Sequence, residues 1–152
     1  MKTCCFLNGN GDFGEEQTKQ AISAVIRQLS EEGVKHFIGG AELDFGILAA
    51  ELVLEEKKKG DDLTLEIVIP YELQPEFWSE KERDRYFSLI EKCDKETMLQ
   101  KRYDDECIHC HTVYLCSRAD VVVFPMEAKG IGEPVIVEYQ KSREKRWILI
   151  EV

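Results

Sequence analysis

The sequence predicts a three-layer α/β domain on a mainly parallel sheet of about six strands. Three observations carry this expectation. Short apolar runs alternate with helix-period segments along the chain, and glycine-bearing loops follow several of the strands. One run, Val121-Val122-Val123-Phe124, is apolar at every position, as a strand buried on both faces of a helix-covered parallel sheet must be.

The elements follow in order. Residues 3–7 (TCCFL) form a first strand that ends in the tight loop Asn8-Gly9-Asn10-Gly11. From Glu15 the period becomes helical, with Ile22, Val25, Ile26 and Leu29 at steps of three and four. Gly33 then stands where a helix end favours a left-handed residue. Residues 34–38 are the second strand, closed by Gly39-Gly40. Leu43, Ile47, Ala50 and Leu54 mark a second helix, running out in Lys57-Lys58-Lys59-Gly60 where the helix dipole favours cations. Residues 63–69 are a β-branched third strand stopped by Pro70. Ser79 and Glu82 spell a capping box that opens a helix through Tyr86, Leu89 and Ile90. Residues 96–99 are a weaker fourth strand. Asp104-Asp105 open another helix, with Ile108, Thr112, Leu115, Cys116 and Ala119 on its inner face. After the strand at 121–124, a last helix covers 134–141 and residues 147–150 complete the sheet. No linker or repeat interrupts the series, so residues 1–152 read as a single Rossmann-like domain.

Composition narrows the function classes. Of 152 residues 43% are hydrophobic, with 10 Gly and 4 Pro, which excludes a disordered or collagen-like chain. The 30 acidic and 20 basic side chains leave a formal charge of −10, a field that repels phosphate backbones and anionic lipid, so neither nucleic acid nor membrane is expected as a partner. The basic run Lys141, Arg143, Lys145 and Arg146 reads as a solvated helix end. No apolar run approaches the ~18–20 residues of a spanning helix, and Met1-Lys2 leads straight into a strand, so the expected compartment is cytoplasmic. There the 6 Cys read as buried thiols, metal ligands or reactive groups.

In an open parallel sheet, ligands sit outside the carboxyl ends of the strands, near the point where strand order reverses. Three glycine-bearing loops occupy such ends: 8–14, 39–46 and 125–133. The first spells a dinucleotide fingerprint, Gly9-Asn10-Gly11-Asp12-Phe13-Gly14. Its acidic partner is missing, because Gly39-Gly40 ends the second strand, and a turn that simply needs glycine explains the run equally well. Glu72, Gln74 and Trp78 follow the third strand. An amide and an aromatic ring suit a planar base, although Trp78 is also placed to pack its loop onto the sheet. Cys107, Cys110 and His111 stand at i, i+3 and i+4 on one helix flank, a grouping soft enough for zinc. Tandem ligands on one helix are cramped for a tetrahedron, however, and half-buried helix residues are the favoured reading. No complete motif implies a resident cofactor.

Several stretches resemble one family. Lys2-Thr3-Cys4-Cys5-Phe6, His36-Phe37-Ile38-Gly39-Gly40-Ala41 and Ala49-Ala50-Glu51 are similar to the YpsA-like branch of the SLOG superfamily. The most specific stretch is Ile69-Pro70-Tyr71-Glu72-Leu73-Gln74-Pro75-Glu76-Phe77-Trp78-Ser79-Glu80, running on to Arg85-Tyr86. Cys107-Ile108-His109 and Ser117-Arg118-Ala119-Asp120 continue it in register. The resemblance implies a Rossmann-like fold related to the LOG phosphoribohydrolases and to nucleotide-sensing SLOG domains, with a pocket built from the same three loops.

The departures are specific. A Thr-Gly-His-Arg segment in relatives is Leu7-Asn8-Gly9-Asn10 here, which removes the cation that would meet a phosphate. Their Ser-Gly-x-Ala-x-Gly-x-Asp becomes Gly39-Gly40-Ala41-Glu42-Leu43-Asp44-Phe45-Gly46, so the carboxylates move and Glu42 replaces a small residue. A late Gly-Gly-Thr becomes Ile131-Gly132-Glu133, and Glu138 lies two residues too far along for the LOG motif. Unit charges ~4 Å apart interact by roughly 4 kcal/mol at an effective dielectric of 20. Carboxylates at 42, 44 and 133, facing inward, would therefore turn the pocket against phosphate.

The resulting expectation is a binding module for a nucleotide-related small molecule, with a diverged phosphate region and no assigned catalysis. Its site comprises Asn8, Gly9, Asn10, Gly11, Gly39, Gly40, Glu42, Asp44, Glu72, Gly130, Gly132 and Glu133. Two alternatives stay open. One is a degenerate scaffold working through protein contacts, including self-association as a homo-oligomer. The other is a phosphoribohydrolase-like enzyme that cleaves the N-glycosidic bond of a nucleoside or nucleotide.

Overall fold

The structure, a computed structural model, describes residues 2–9, 13–125 and 145–150. The helix expected at 134–141 lies outside these residues, as do the site positions Asn10, Gly11, Gly130, Gly132 and Glu133. So do Lys141 and Arg143 of the basic run.

The described strands are β1 (Lys2–Phe6), β2 (Val34–Gly39), β3 (Thr64–Ile69), β4 (Lys95–Met98), β5 (Val121–Pro125) and β6 (Arg146–Ile150). The described helices are α1 (Glu16–Glu31), α2 (Phe45–Lys58), α3 (Glu80–Lys92) and α4 (Cys107–Arg118). One six-stranded sheet runs in the order β4-β3-β2-β1-β5-β6, and every pairing in it is parallel. This is the Rossmann-like α/β architecture expected from the alternating pattern. The chain winds outward from β1 to β4, then returns past β1 to lay down β5 and β6, so strand order reverses between β1 and β5.

Each sheet face has its own core. On one face α1, α2 and α3 set Ile22, Ile26, Phe45, Val53 and Leu89 against Cys4, Phe6, Phe37 and Leu65. On the other, α4 sets Leu115 and Cys116 against Cys5, Ile38, Val68 and Val122. Successive strand residues point to opposite faces, so the adjacent Cys4 and Cys5 are both fully buried, one in each core. Burial pushes both thiols well above their ordinary range, which makes them small core residues rather than nucleophiles. A run of phenylalanines joins β1, β2 and α2. Phe6 stacks on Phe37 at 5.9 Å between centroids, and Phe45 meets Phe13 edge-on at 5.4 Å. Phe13, the fifth residue of the fingerprint-like loop, is thus part of the core.

Local signals at the helix ends act as their chemistry requires. Ser79 Oγ accepts from the Glu82 N–H at 3.2 Å, and Glu82 Oε1 accepts from the Ser79 N–H at 3.0 Å, completing the capping box. Gly33 ends α1 with φ +96°. Glu51 of α2 takes two hydrogen bonds from Arg85 of α3, one of them at 3.1 Å. Two motif residues far apart in sequence thereby tie neighbouring helices together.

Three expectations change. The fourth helix begins at Cys107, because Asp104 Oδ1 accepts the Glu106 N–H at 3.0 Å and is consumed in the turn before it. Its buried face is Cys107, His111, Thr112, Leu115 and Cys116, with Ile108 only half-buried. The second helix begins at Phe45, not Leu43. Lys145 and Arg146 flank the start of β6 instead of ending a helix. Lys145 Nζ donates to the Ala119 carbonyl at 2.7 Å, and Arg146 pairs with Glu32. Among the described residues, no helix is long and apolar enough to cross a membrane.

Leu65, fully buried, and Leu149, 44% exposed, give a direct test of this packing. Leu65→Ala is expected to cost about 3 kcal/mol in urea unfolding, and Leu149→Ala under about 0.5 kcal/mol. Ser79→Ala is expected to cost about 1 kcal/mol through the lost cap.

Candidate functional site

The reversal between β1 and β5 places the candidate site at the carboxyl edge of the sheet. There the first two expected loops form one unit. The half-buried Asn8, just past β1, accepts the Gly46 N–H on its Oδ1 at 2.9 Å. That bond occupies one of the free amides in the first turn of α2. Gly9, Gly39, Gly40 and Gly46 are all buried beside it. Between them the chain adopts two left-handed positions without glycine, Ala41 at φ 53° and Asp44 at φ 72°. Each costs on the order of 1 kcal/mol, a strain that accumulates where geometry serves something other than stability.

Glu42 sits inside that strained turn. Its carboxyl lies over the bare Cα of Gly40, where an added Cβ would stand 1.6 Å from Oε1 and 2.4 Å from His111 Cε1. It also fills the space beside Gly46, since a Cβ there would lie 3.2 Å from Oε1 and 3.5 Å from Oε2. Relatives of the resembled pattern carry their carboxylate at that eighth position. Here Gly46 stands at that position, and the carboxyl beside it is that of Glu42, four residues upstream. Although the residue keeps some surface, Oε1 is sealed from solvent and has no hydrogen-bond partner. Burial pushes the Glu42 carboxyl up, opposed by the nearby His111 ring and by the amides of Glu42 and Gly40. The acid is thus withdrawn beneath the turn, while Asp44 is exposed at the start of α2. The ring of inward carboxylates expected to repel phosphate is not what these two residues form.

His111 is held by the sheet. The β2–β3 ladder stops at Gly39–Ile67, and the next β3 carbonyl on the β2 side, that of Val68, accepts from His111 Nε2 at 2.7 Å. A carbonyl can only accept, so Nε2 carries the proton. This bond explains why α4 turns His111 inward. It also disposes of the grouping of Cys107, Cys110 and His111: Cys107 is buried, Cys110 is exposed and His111 is committed to Val68. Among the described residues, no group of three His, Cys, Asp or Glu side chains is placed to hold a metal.

Beyond β3, residues 71–78 form successive tight turns that expose Glu72 and bury Gln74. Gln74 Nε2 donates to the Gly40 carbonyl at 3.3 Å, tying this segment to the turn after β2. Trp78 packs against the core and meets Tyr86 edge-on at 5.4 Å, so it holds the segment to α3 instead of offering its face to a base. Asn8, Gly39, Gly40 and Glu42 are therefore brought together, joined by Gln74 and His111, while Glu72 stands out in solvent. Gln74 and His111 stand out in the sequence for other reasons; the partners they meet, the Gly40 and Val68 carbonyls, have no local signal because both are distant in sequence.

Gly40→Ala is expected to cost about 1–3 kcal/mol, because a methyl group must displace the Glu42 carboxyl and crowd His111. In a Glu42→Ala background the same change should cost less, and an additive double-mutant cycle would contradict the contact. The pH dependence has a definite sign. Folding holds the Glu42 proton more tightly than the unfolded chain does, so its contribution to stability is lost as pH rises above about 4.3. Glu42→Gln is expected to match the wild type near pH 4 and to gain on it as pH rises, until the carboxyl of the folded wild type has itself ionised, in urea melts.

Comparison with known proteins agrees with this architecture. A family model described as the YspA SLOG family (YpsA) matches residues 9–150. A UPF0398 protein of Halalkalibacterium halodurans is 27% identical over 131 residues, covering 84% of this chain and 69% of its own. A UPF0398 protein of Bacillus thuringiensis is 25% identical over 137 residues, covering 88% of this chain and 74% of its own. The solved structure of the Chlamydomonas rheinhardtii Moco carrier protein superposes with a TM-score of 0.52 at 17% identity. It covers 99% of this chain and 77% of its own, a likeness of fold. Family and fold are both consistent with a ligand-binding module. With the model spanning nearly the whole sequence, and the turn after β2 built from the residues that carried the resemblance, the chain belongs to the YpsA family of the SLOG superfamily.

Proposed function

We propose that the protein is a binding module for a nucleotide-related small molecule, held at the carboxyl edge of the sheet and released unchanged. The observation that carries this reading is the joining of the turns after β1 and β2 beside the strand reversal, by Asn8 Oδ1 and the Gly46 N–H at 2.9 Å. A crevice fixed by a side chain on one wall and backbone on the other is preorganised, which reduces the ordering cost of binding. With Asn8-Gly9-Asn10 where relatives carry a cation, any phosphate is held by backbone N–H groups at the turns, not by a basic side chain. The Chlamydomonas neighbour is a Moco carrier protein, and a carrier on this fold supports binding without turnover. Cys107, Cys110 and His109 form no nucleophile–base–orienter series among the described residues, so no hydrolytic step is assigned to them.

One observation favours a second reading, a scaffold that works through protein contacts. Phe77 is 92% exposed at the tip of the 71–78 segment, with Leu73 at 56%. Light scattering of the wild type and of Phe77→Ala separates the two, since only the scaffold reading predicts an assembly that the substitution dissolves.

The test of the leading reading is a thermal-shift and calorimetry panel of nucleosides, nucleotides and ADP-ribose derivatives. At least one is expected to stabilise the fold, by about 2.7 kcal/mol when present at a hundred times its Kd. Asn8→Ala is expected to weaken that ligand roughly fivefold, the equivalent of about 1 kcal/mol for one hydrogen bond. No shift with any of them at millimolar concentration would remove the proposal. Release of free base on incubation would put the hydrolase in its place.

A further inference from the structure

The turn after β2 is fixed at both ends and strained between them. Ala41 and Phe45 are fully buried in the core shared with α1 and α3, while Glu42 and Leu43 are half-buried and Asp44 is exposed. The two left-handed residues without glycine, Ala41 and Asp44, bracket the span. Its inward state carries a second penalty, because Glu42 Oε1 is sealed from solvent with no hydrogen-bond partner. The bonds that oppose these costs are local. The Glu42 carbonyl accepts the Ile47 N–H at 2.8 Å, and the amides of Glu42 and Gly40 favour the carboxylate. Strain and an unpaired buried oxygen, combined in one short surface span, mark a segment with a second arrangement close in free energy.

The inward carboxyl covers a particular place. It lies over the bare Cα of Gly40, against the His111 ring and the Gly46 backbone. We propose that residues 42–44 are a flap over the crevice, which opens by swinging the Glu42 carboxyl out to water and so uncovers the Gly40 backbone and the His111 ring. Ionisation drives the movement. Burial pushes the inward carboxyl up, whereas in the open flap it is solvated and ionises near its ordinary value of roughly 4.3. Above that pH the open state holds fewer protons. Its share rises by up to about tenfold per pH unit, until the inward carboxyl itself ionises. The groups that face the inward carboxyl are the His111 ring from α4, the amides of Gly40 and Glu42, and Gly46 at the start of α2. A charged His111 attracts the carboxylate where it lies and opposes opening. Asp44, the other acid of the turn, is already exposed. The movement stands by itself, and its use as a gate for ligand rests on the binding-module reading.

Amide hydrogen exchange of the full chain, read by NMR between pH 5 and pH 7, tests the movement without any ligand. The Ile47 N–H is bonded to the Glu42 carbonyl and is freed when the flap opens. The Gly46 N–H is bonded to Asn8 Oδ1 and is not. Relative to the intrinsic exchange rate at each pH, Ile47 protection is expected to fall by at least about tenfold across this range. Gly46 protection is expected to hold within roughly twofold. Glu42→Gln has no charge to expel and is expected to keep Ile47 protection level within the same margin. Level Ile47 protection in the wild type overturns the flap and leaves the binding module standing, and so does an equal fall in Glu42→Gln. Joint loss of protection at Gly46 and Ile47 also overturns it, because the whole edge of the sheet then opens. A fall confined to Ile47 of the wild type establishes the movement. If no nucleoside or nucleotide then raises the unfolding temperature, the movement is kept and the gating role is overturned with the binding module.

Discussion

The meeting of Glu42 and His111 over the bare backbone of Gly40 is the contact on which the carboxyl edge of the sheet depends. A glycine there removes the Cβ that would otherwise stand 1.6 Å from the carboxyl oxygen. With that space open, the turn after β2 can fold its own acid inward. The imidazole beside it is anchored on Val68. The same residue's carbonyl receives Gln74, so a single glycine gathers groups from the turn after β2, the segment after β3 and α4. Two left-handed non-glycine positions, Ala41 and Asp44, are the conformational cost of that arrangement.

This placement alters the electrostatics of the carboxyl edge of the sheet. A carboxylate facing the ligand would oppose phosphate by several kcal/mol at contact distance. Glu42 is instead drawn beneath the turn, where burial favours its protonated form. Among the described residues near the reversal point are turns and amides, with the polar side chain of Asn8 and the exposed Asp44 at the start of α2. The protein's overall charge of −10 still disfavours polyanions. It does not oppose a compact ligand whose recognised end is neutral.

Among the described residues, the buried acids Glu56 and Glu66 have partners. Glu56, between α1 and α2, takes Arg27 at 3.0 Å and Lys59 at 3.2 Å. Glu66, on the α4 face of β3, takes His36 Nε2 at 3.2 Å and the Thr97 hydroxyl at 2.9 Å. Against that pattern, the unpartnered oxygens of Glu42 and Gln74 stand out as exceptions located at the candidate site. Buried polar groups are paired as a rule, and departures from consistent pairing gather where a protein interacts with something else.

The alternation of strands and helices, the uniformly apolar β5, the Ser79–Glu82 cap and the turn at Gly33 were legible in the sequence, because each depends on neighbours within a few residues. The membership of Cys4 and Cys5 in two cores follows from strand period alone once both faces are covered. Proximity of the turns after β1 and β2 was also legible, since parallel winding brings the carboxyl ends of strands to one edge. The direction of a side chain within those turns was not. Whether Glu42 faces the crevice or the core depends on the missing Cβ at Gly40 and on a histidine seventy residues away, itself turned inward by an orphaned strand carbonyl. Chain composition and local period decide which elements form. Only packing in three dimensions decides which polar atoms are satisfied and which are left waiting, because hydrogen-bond partners and excluded volume come from segments that no local pattern connects.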